Sequence, residues 1–375
     1  MTTTVGVSAR LFCSPLVKEL TRRGHDVLVV STDDPDLERL RREGVRVKGL
    51  RMERRISLVG DVRGLGSWVR LLLQARPDIV IAMTPKASLL SMVASRLVGV
   101  PTRSYLLVGL RLEGASGVAR VLLWLMERLT IASASRTVAN SPSLAARVQE
   151  LGLTAGRPIR HTCPGSDHGV DSLAFRRIRP PNEARTRMGL TSGLPVIGFV
   201  GRLTADKGVD VLAASLGHLR GGPPHQVLVV GGSDDSEGVD WTVKIRSATD
   251  APVTFTGHSD RVRDWIECMD VLVLPSRREG FPNVVLEAAA MEVPAVTTEA
   301  TGARDSVMPG STGWVVPVSS DAALAAALGE FLDDPVKGQE LGLNARRWVE
   351  GAFQPTRIID QVIRLTTPGE PRGTC

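Results

Sequence analysis

Two glutamates and two cations, each pair following a short apolar run, are the chain's foremost candidates for binding or catalysis. Glu279 and Glu287 lie in Pro275-Ser-Arg-Arg-Glu279-Gly-Phe-Pro282-Asn283-Val-Val-Leu-Glu287, directly after the apolar run Val271–Leu274. That run is short enough for a buried parallel strand. Gly280 and Pro282 interrupt the chain, and Val284 to Met291 then reads as a helix with Pro282 at its first position, where a missing N–H costs nothing. Glu287 would stand about five residues up that helix, roughly 8 Å along the axis. One carboxylate would face whatever rests on the helix N-terminus, which favours anions, and the other something further along. A sugar, a diphosphate and a ribose in series fit that spacing. A helix-capping Glu279 with an exposed surface Glu287 fits it too. Upstream, Gly201-Arg202-Leu-Thr-Ala-Asp-Lys207-Gly208 follows the apolar run Val196–Val200. Arg202 and Lys207 flank a loop at the carboxyl end of a predicted strand, where two cations can clamp a diphosphate. The alternative is an exposed strand-to-helix loop with solvated basic residues; the P-loop pattern GxxxxGK[ST] is not matched.

The elements that would position these loops alternate throughout the chain. Val5–Ser8 reads as a strand, Ala9-Arg10 as a loop and Phe12 to Arg23 as a helix. Asp26–Val30, Val45–Lys48, Asp78–Ala82, Thr102–Leu106 and Arg136–Ala139 read as further strands. Between and after them come helices near Pro35–Arg42, Asp61–Gln74, Lys86–Leu97, Val118–Ile131 and Ser143–Leu151. Strand, helix, strand at this spacing predicts a parallel sheet covered on both faces. The pattern lapses over Asp171–Pro195. A second series then begins, with strands at Val196–Val200, Gln226–Val230, Val253–Thr256, Val271–Leu274 and Ala295–Thr298. Its helices are Gly208–Leu219, Arg261–Glu267, Val284–Met291 and Ser320–Leu332, followed by Gln339–Gly351 and Thr356–Leu365. The expected α/β architecture is two doubly wound, Rossmann-like domains, 1–175 and 176–350, with a terminal helix and loose tail over 351–375. Their strand ends should line a cleft between them. The absence of GxGxxG after the first strand weakens a dinucleotide-dependent dehydrogenase.

Composition narrows the class. The 375 residues are 43% hydrophobic, enough for two cores, and no run of eighteen apolar residues suggests a membrane span. Cys13, Cys163, Cys268 and Cys375 are scattered, which argues against a zinc site and for a reducing, cytosolic setting; no secretory signal is visible at the start. The net charge of +6 is uneven: residues 1–180 carry 28 basic against 15 acidic residues, and residues 181–375 carry 18 against 25. The basic half could attract an anionic membrane surface or a diphosphate-bearing acceptor, or could reflect an Arg-rich composition. Nucleic acid is disfavoured by one tyrosine and 4% aromatics, which leave no stacking platform.

Together, Gly-Arg-Leu-x-x-x-Lys-Gly and Glu279-x7-Glu287 resemble glycosyltransferase family 4, retaining sugar transferases of the GT-B fold. Phe255-Thr-Gly and Thr312-Gly-Trp-Val-Val-Pro317 carry the resemblance further along the second half. Thr84-Pro-Lys86-Ala-Ser-Leu-Leu, Gly109-Leu-Arg-Leu-Glu113-Gly-Ala-Ser-Gly, Ser141-Pro-Ser-Leu and Gly165-Ser-Asp-His-Gly169-Val-Asp171 resemble a narrower branch, bacterial transferases acting on polysaccharide or lipid-linked oligosaccharide precursors. The family's Gly-rich first loop is reduced to Val7-Ser8-Ala-Arg10, and Ile81 and Met83 stand where the branch often carries histidines. The resemblance implies that Arg202 and Lys207 hold the donor diphosphate. It also implies that Gly280, Phe281 and Asn283 offer backbone N–H groups, Glu279 bonds donor-sugar hydroxyls and Glu287 the ribose, with Gly201, Pro282 and Val284 completing the donor surface. Ser8, Lys86, Glu113 and His168 are the acceptor-side candidates. No metal or other cofactor is expected. Asp234-Asp235 reads as a solvated loop, His25 as a helix–strand junction residue, and His161 is uninformative.

The expectation is a cytosolic, membrane-peripheral retaining glycosyltransferase. Its donor would be a UDP-linked sugar, with an N-acetylhexosamine among the candidates, and its acceptor a polyprenyl-diphosphate-linked saccharide. A soluble natural-product or small-molecule acceptor is the alternative. A nucleotide-sugar epimerase and a non-catalytic sugar-nucleotide binder are the rivals from other classes, and double displacement through Glu279 is the rival mechanism. Arg51, Arg54, Arg55, Arg120 and Arg128 could hold the first domain on an anionic surface. Val121-Leu-Leu-Trp124-Leu-Met126 would then add apolar contact, although a buried core helix explains that run equally well.

Overall fold

The computed structural model describes residues 1–52, 57–233 and 238–368. It divides into two compact units. One is Met1–His168 with the C-terminal helix from Thr356, and the other is Gly169–Pro355. Arg54, Arg55, Asp234 and Asp235, and the last part of the expected tail, lie outside the described residues.

In the first unit, β1 (Leu28–Ser31) and β2 (Arg46–Gly49) pair in parallel, while β3 (Ile79–Ala82), β4 (Thr102–Leu107), β5 (Arg136–Ala139) and β6 (Arg160–His161) form a second parallel set. Residues 1–3 join the two sets: Thr2 N–H donates to the Ile81 carbonyl at 2.9 Å and Thr3 N–H to that of Val30 at 3.1 Å. The helices are α1 (Gly6–Ser8), α2 (Ser14–Arg22), α3 (Pro35–Arg42), α4 (Leu58–Ala75), α5 (Pro85–Val98), α6 (Gly117–Ser133) and α7 (Pro142–Glu150). Local signals start several of them. Asp34 caps α3 by accepting from Leu37 N–H at 3.0 Å, Ser141 caps α7 through Leu144 N–H at 3.3 Å, and a proline opens each. Strand alternation sorts the two faces. Ile81, Leu106 and Val138 pack with Leu16 and Leu20 of α2, Leu37 of α3, and Val362 and Ile363. On the other face Val80, Tyr105 and Leu107 pack with Trp68, Leu90 and Ile131 of α4, α5 and α6.

The second unit holds one six-stranded parallel sheet in the order β12-β11-β10-β7-β8-β9. Its strands are β7 (Val196–Val200), β8 (Gln226–Val230), β9 (Val253–Phe255), β10 (Val271–Leu274), β11 (Ala295–Thr298) and β12 (Gly313–Val316). Its helices are α8 (Pro181–Arg187), α9 (Val209–His218), α10 (Trp241–Ala248), α11 (Val262–Ile266), α12 (Asn283–Ala290), α13 (Asp321–Asp333) and α14 (Pro335–Ala352). The two central strands, β7 and β10, are buried along their whole length, as their continuous apolar runs require. Strand order reverses between them, so the loops leaving their carboxyl ends open at a topological switch point, where doubly wound sheets bind ligands.

Three expectations differ from the structure. Val5–Ser8 is not a strand: Gly6–Ser8 is helical and runs into a π-helical turn over Ala9–Cys13, and Gly6 N–H donates to the Asp34 carboxylate at 2.7 Å. Met1–Thr3 makes the sheet contacts instead. The division falls between His168 and Gly169 rather than at 175/176. The terminal helix (Pro355–Thr366) packs with the first unit, because Ile359, Val362 and Ile363 form an apolar stripe buried against α2 and α3. Gln361 ties it down by accepting from Cys163 N–H at 3.0 Å and donating to the Cys163 carbonyl at 2.9 Å. Among the described residues, no helix is long and apolar enough to cross a membrane.

Candidate active site

The loops after β7 and β10 carry the two motifs, and the second unit brings them together. Lys207 Nζ donates to Glu279 Oε1 at 2.5 Å, and Ser276 Oγ donates to the same oxygen at 2.7 Å. The Glu279 side chain is 11% exposed and that of Lys207 24%. One carboxylate oxygen is thus occupied by two donors, while Oε2 takes no partner among the described residues. The peptide of Glu279 is fixed as well, its N–H donating to the Thr301 carbonyl at 3.0 Å.

Backbone packing sets this approach. Gly208 has φ 68°, and a Cβ there would lie 2.0 Å from the Pro275 carbonyl oxygen, so only glycine lets the two loops close. Gly302, at φ 74°, meets the Gly280 carbonyl in the same way, a Cβ falling 2.0 Å from its oxygen. α12 starts at Asn283 with Pro282 in the preceding position, and no side chain caps it. The Val285 N–H turns back to the Pro282 carbonyl at 3.0 Å, and the positive end of the helix dipole lies close in sequence to Gly280, a standing attraction for an anion. Glu287, half-buried, lies four residues on, about 6 Å up the axis. Phe281 buries its ring against Phe353 at a centroid distance of 5.7 Å, which leaves its backbone as the part a ligand could meet. Val284 and Asn283 are half-buried, and Gly201 and the exposed Arg202 follow β7 directly.

Sequence reasoning missed the residues that hold the two loops in register. Arg277 grips Asp210 with both guanidinium arms, Nη1 to Oδ1 at 2.7 Å and Nη2 to Oδ2 at 2.6 Å, and its N–H donates to the Asp206 carbonyl at 2.9 Å. Arg278 pairs with the Asp206 carboxylate. The legible signal was Asp206 and Asp210 four apart at the entry to α9, facing two adjacent arginines on a loop from a neighbouring strand.

The acceptor-side candidates lie in the first unit. Lys86, at the start of α5, is buried and donates to Asp61 of α4 at 2.6 Å. Glu113, on a 3-10 turn before α6, accepts from Arg147 Nε at 3.2 Å. His168 Nδ1 lies 3.2 Å from Asp167 Oδ1, and its ring stands 6.4 Å from that of Phe12. Ser166, two residues earlier, is buried in the left-handed region at φ 71°, a strained setting of the kind that marks functional loops. Ser8 is half-buried on α1. His25 sits between α2 and β1 and is exposed, and His161 lies on β6. A cavity of about 360 Å³ beside Leu28, Trp68, Leu72 and Ile79 touches none of the candidate residues. Burial pushes the Cys13 thiol up to about 12 and the Cys268 thiol to about 11, so neither supplies a thiolate near neutrality.

A doubly wound sheet with paired cation and carboxylate at its switch point defines a class, and the comparisons agree on it. Residues 9–162 match the family model for the glycosyl transferase 4-like domain, and residues 194–334 match glycosyl transferases group 1. The chain belongs to this family and is a family-4-like glycosyltransferase of the GT-B fold. Among relatives, it is 30% identical to the capsular polysaccharide biosynthesis glycosyltransferase CapM of Staphylococcus aureus, over 92% of this chain and 90% of that one. It is also 30% identical to a GDP-mannose-dependent alpha-mannosyltransferase of Mycolicibacterium smegmatis, over 93% and 90%. A solved structure of the same fold is Anabaena Alr3699/HepE in complex with UDP and glucose, at TM-score 0.78 and 20% identity, covering 96% of each chain.

Proposed function

We propose that this glycosyltransferase moves a sugar from a UDP-linked donor to a saccharide carried on polyprenyl diphosphate, with retention at the anomeric carbon. The observation that carries the donor half is the Lys207–Glu279 pair beside the uncapped start of α12. Breaking the anomeric C–O bond leaves negative charge on the nucleoside diphosphate. Arg202, Lys207 and the α12 amides would meet that charge as it develops, which is where electrostatic stabilisation lowers a barrier. Glu279 acts as a positioning residue: Oε1 is tied to Lys207 and Ser276, and Oε2 receives a donor-sugar hydroxyl. Glu287, further along α12, receives the ribose. The acceptor hydroxyl attacks from the face the phosphate leaves, and the departing phosphate takes its proton. The proposal assigns no step to a metal ion or other cofactor.

The acceptor half is supported by the relative named for capsular polysaccharide biosynthesis and by the basic balance of residues 1–180. The mannosyltransferase relative uses a GDP-linked donor by name, so the test includes both bases. UDP- and GDP-linked hexoses and N-acetylhexosamines are each incubated with a polyprenyl-diphosphate saccharide, a soluble acceptor, or neither. Transfer from a UDP sugar to the lipid-linked acceptor, with the donor's anomeric configuration kept in the product's NMR spectrum, is the expected result. Donor turnover at the same rate without any acceptor overturns the transferase reading in favour of an epimerase or hydrolase. Transfer to the soluble acceptor alone overturns the lipid-linked assignment.

A further inference from the structure

One helix of the first unit has its polarity inverted. α6 buries its only carboxylate, Glu127, which accepts a 2.6 Å hydrogen bond from Tyr105 Oη in the core. Its solvent face is apolar: Val118 is 85% exposed, Val121 59%, Leu122 41%, Leu125 52% and Leu129 51%. These positions recur at three- and four-residue spacing and so form one stripe. Leu123 and Trp124 pack toward the core, so the run divides between the two roles that its composition left open. α4, in the same helical layer on the far side of α5, repeats the theme, with Val59 64% and Val62 71% exposed beside the exposed Arg63 and Arg70. The only carboxylate of α4, Asp61, is held by Lys86. Arg111 is exposed just before α6 and Arg128 lies over the Trp124 ring at 5.2 Å, whereas the half-buried Arg120 projects on the side of α6 away from the stripe.

We propose that the solvent faces of α4 and α6 dock on an anionic lipid bilayer. An apolar stripe edged by arginines, without an outward carboxylate on either helix, is complementary to a surface that offers hydrocarbon beneath negative headgroups. A second copy of the chain is a poorer occupant, because a two-fold contact would set arginines against arginines with no acid to answer them. The surface goes beyond the transfer reaction: it is read from exposure and charge alone, and its test requires no turnover. Docking here would also bring the bilayer to the end of α4 where Asp61 holds the acceptor-side candidate Lys86.

The test is co-sedimentation of the full chain with phosphatidylcholine vesicles, with and without phosphatidylglycerol, at low and high salt. Binding should require the anionic lipid and fade with salt. Leu122→Asp with Leu125→Asp, at positions already exposed, should abolish it. Arg63→Gln with Arg70→Gln should weaken it by about fivefold per arginine removed. Both variants should keep the parent's melting temperature and nucleotide affinity, readings that a damaged fold would change. Unchanged partitioning in both variants, or equal binding to neutral vesicles, overturns the proposal. A dimer in light scattering that the Leu122→Asp, Leu125→Asp variant dissociates, without vesicle binding by the parent, assigns the face to a second copy instead.

Discussion

Replacing Glu127 by glutamine should change how stability depends on pH, and the structure sets both sign and size. Burial raises the Glu127 carboxyl from the ordinary 4.5 to about 7, while the hydrogen bond from Tyr105 opposes that rise. The folded state therefore binds this proton more tightly than the unfolded chain. The resulting stability is fully present below about pH 4.5 and is lost as pH rises through about 7. At about 1.4 kcal/mol per pKa unit, the loss across that window is on the order of 3 kcal/mol. Glutamine keeps the shape and still accepts from Tyr105, but carries no proton to lose. Glu127→Gln should thus come within about 1 kcal/mol of the parent near pH 5 and exceed its stability at pH 8 by an amount approaching that figure. Hydrogen exchange of the β4 amides, measured at pH 5, 6.5 and 8 in both proteins, reads this unit separately from the other. A stability difference constant across the three pH values would refute the reasoning, since a pH-independent effect reports packing alone.

Other substitutions address the donor loops. Arg202→Ala and Lys207→Ala should each weaken nucleoside-diphosphate binding and lower turnover by roughly 10² or more; near-normal kinetics in both variants would remove the clamp. Glu287→Gln should weaken UDP and UDP-sugar alike in calorimetry, whereas Glu279→Gln should spare UDP and impair transfer, so equal losses for both ligands in the Glu279 variant would contradict its assignment to the sugar. Arg277→Ala removes a two-armed but partly exposed pair with Asp210, and should cost only about 1 kcal/mol of stability while lowering donor affinity more than that accounts for. Gly302→Ala should reduce donor affinity by displacing the Glu279–Gly280 backbone, checked by UDP titration against the parent.

Much of this protein is written locally. The apolar runs Val196–Val200 and Val271–Leu274 appear as buried strands over the same residues, because a strand covered on both faces must be continuously apolar. Pro282 and Gly280 announced the break before α12, and Gly-Arg-Leu-x-x-x-Lys-Gly with Glu279-x7-Glu287 announced the family. Val5-Gly-Val looks extended by composition, yet Gly6–Ser8 is helical. Its helical turn depends on Asp34, twenty-eight residues away, which accepts from Gly6 N–H.

What tertiary structure alone decided is which of these groups meet. Lys207 and Glu279 lie 72 residues apart, and their contact exists because β7 and β10 are neighbours at the point where strand order reverses, which no local pattern encodes. The Arg277–Asp210 and Arg278–Asp206 pairs follow from the same adjacency. The terminal helix shows the same limit: its buried stripe was legible, but not that the stripe returns to α2 and α3. Periodicity specifies which face of an element is apolar; only packing in three dimensions selects the surface that covers it. For α6 it also determined which apolar residues are left uncovered.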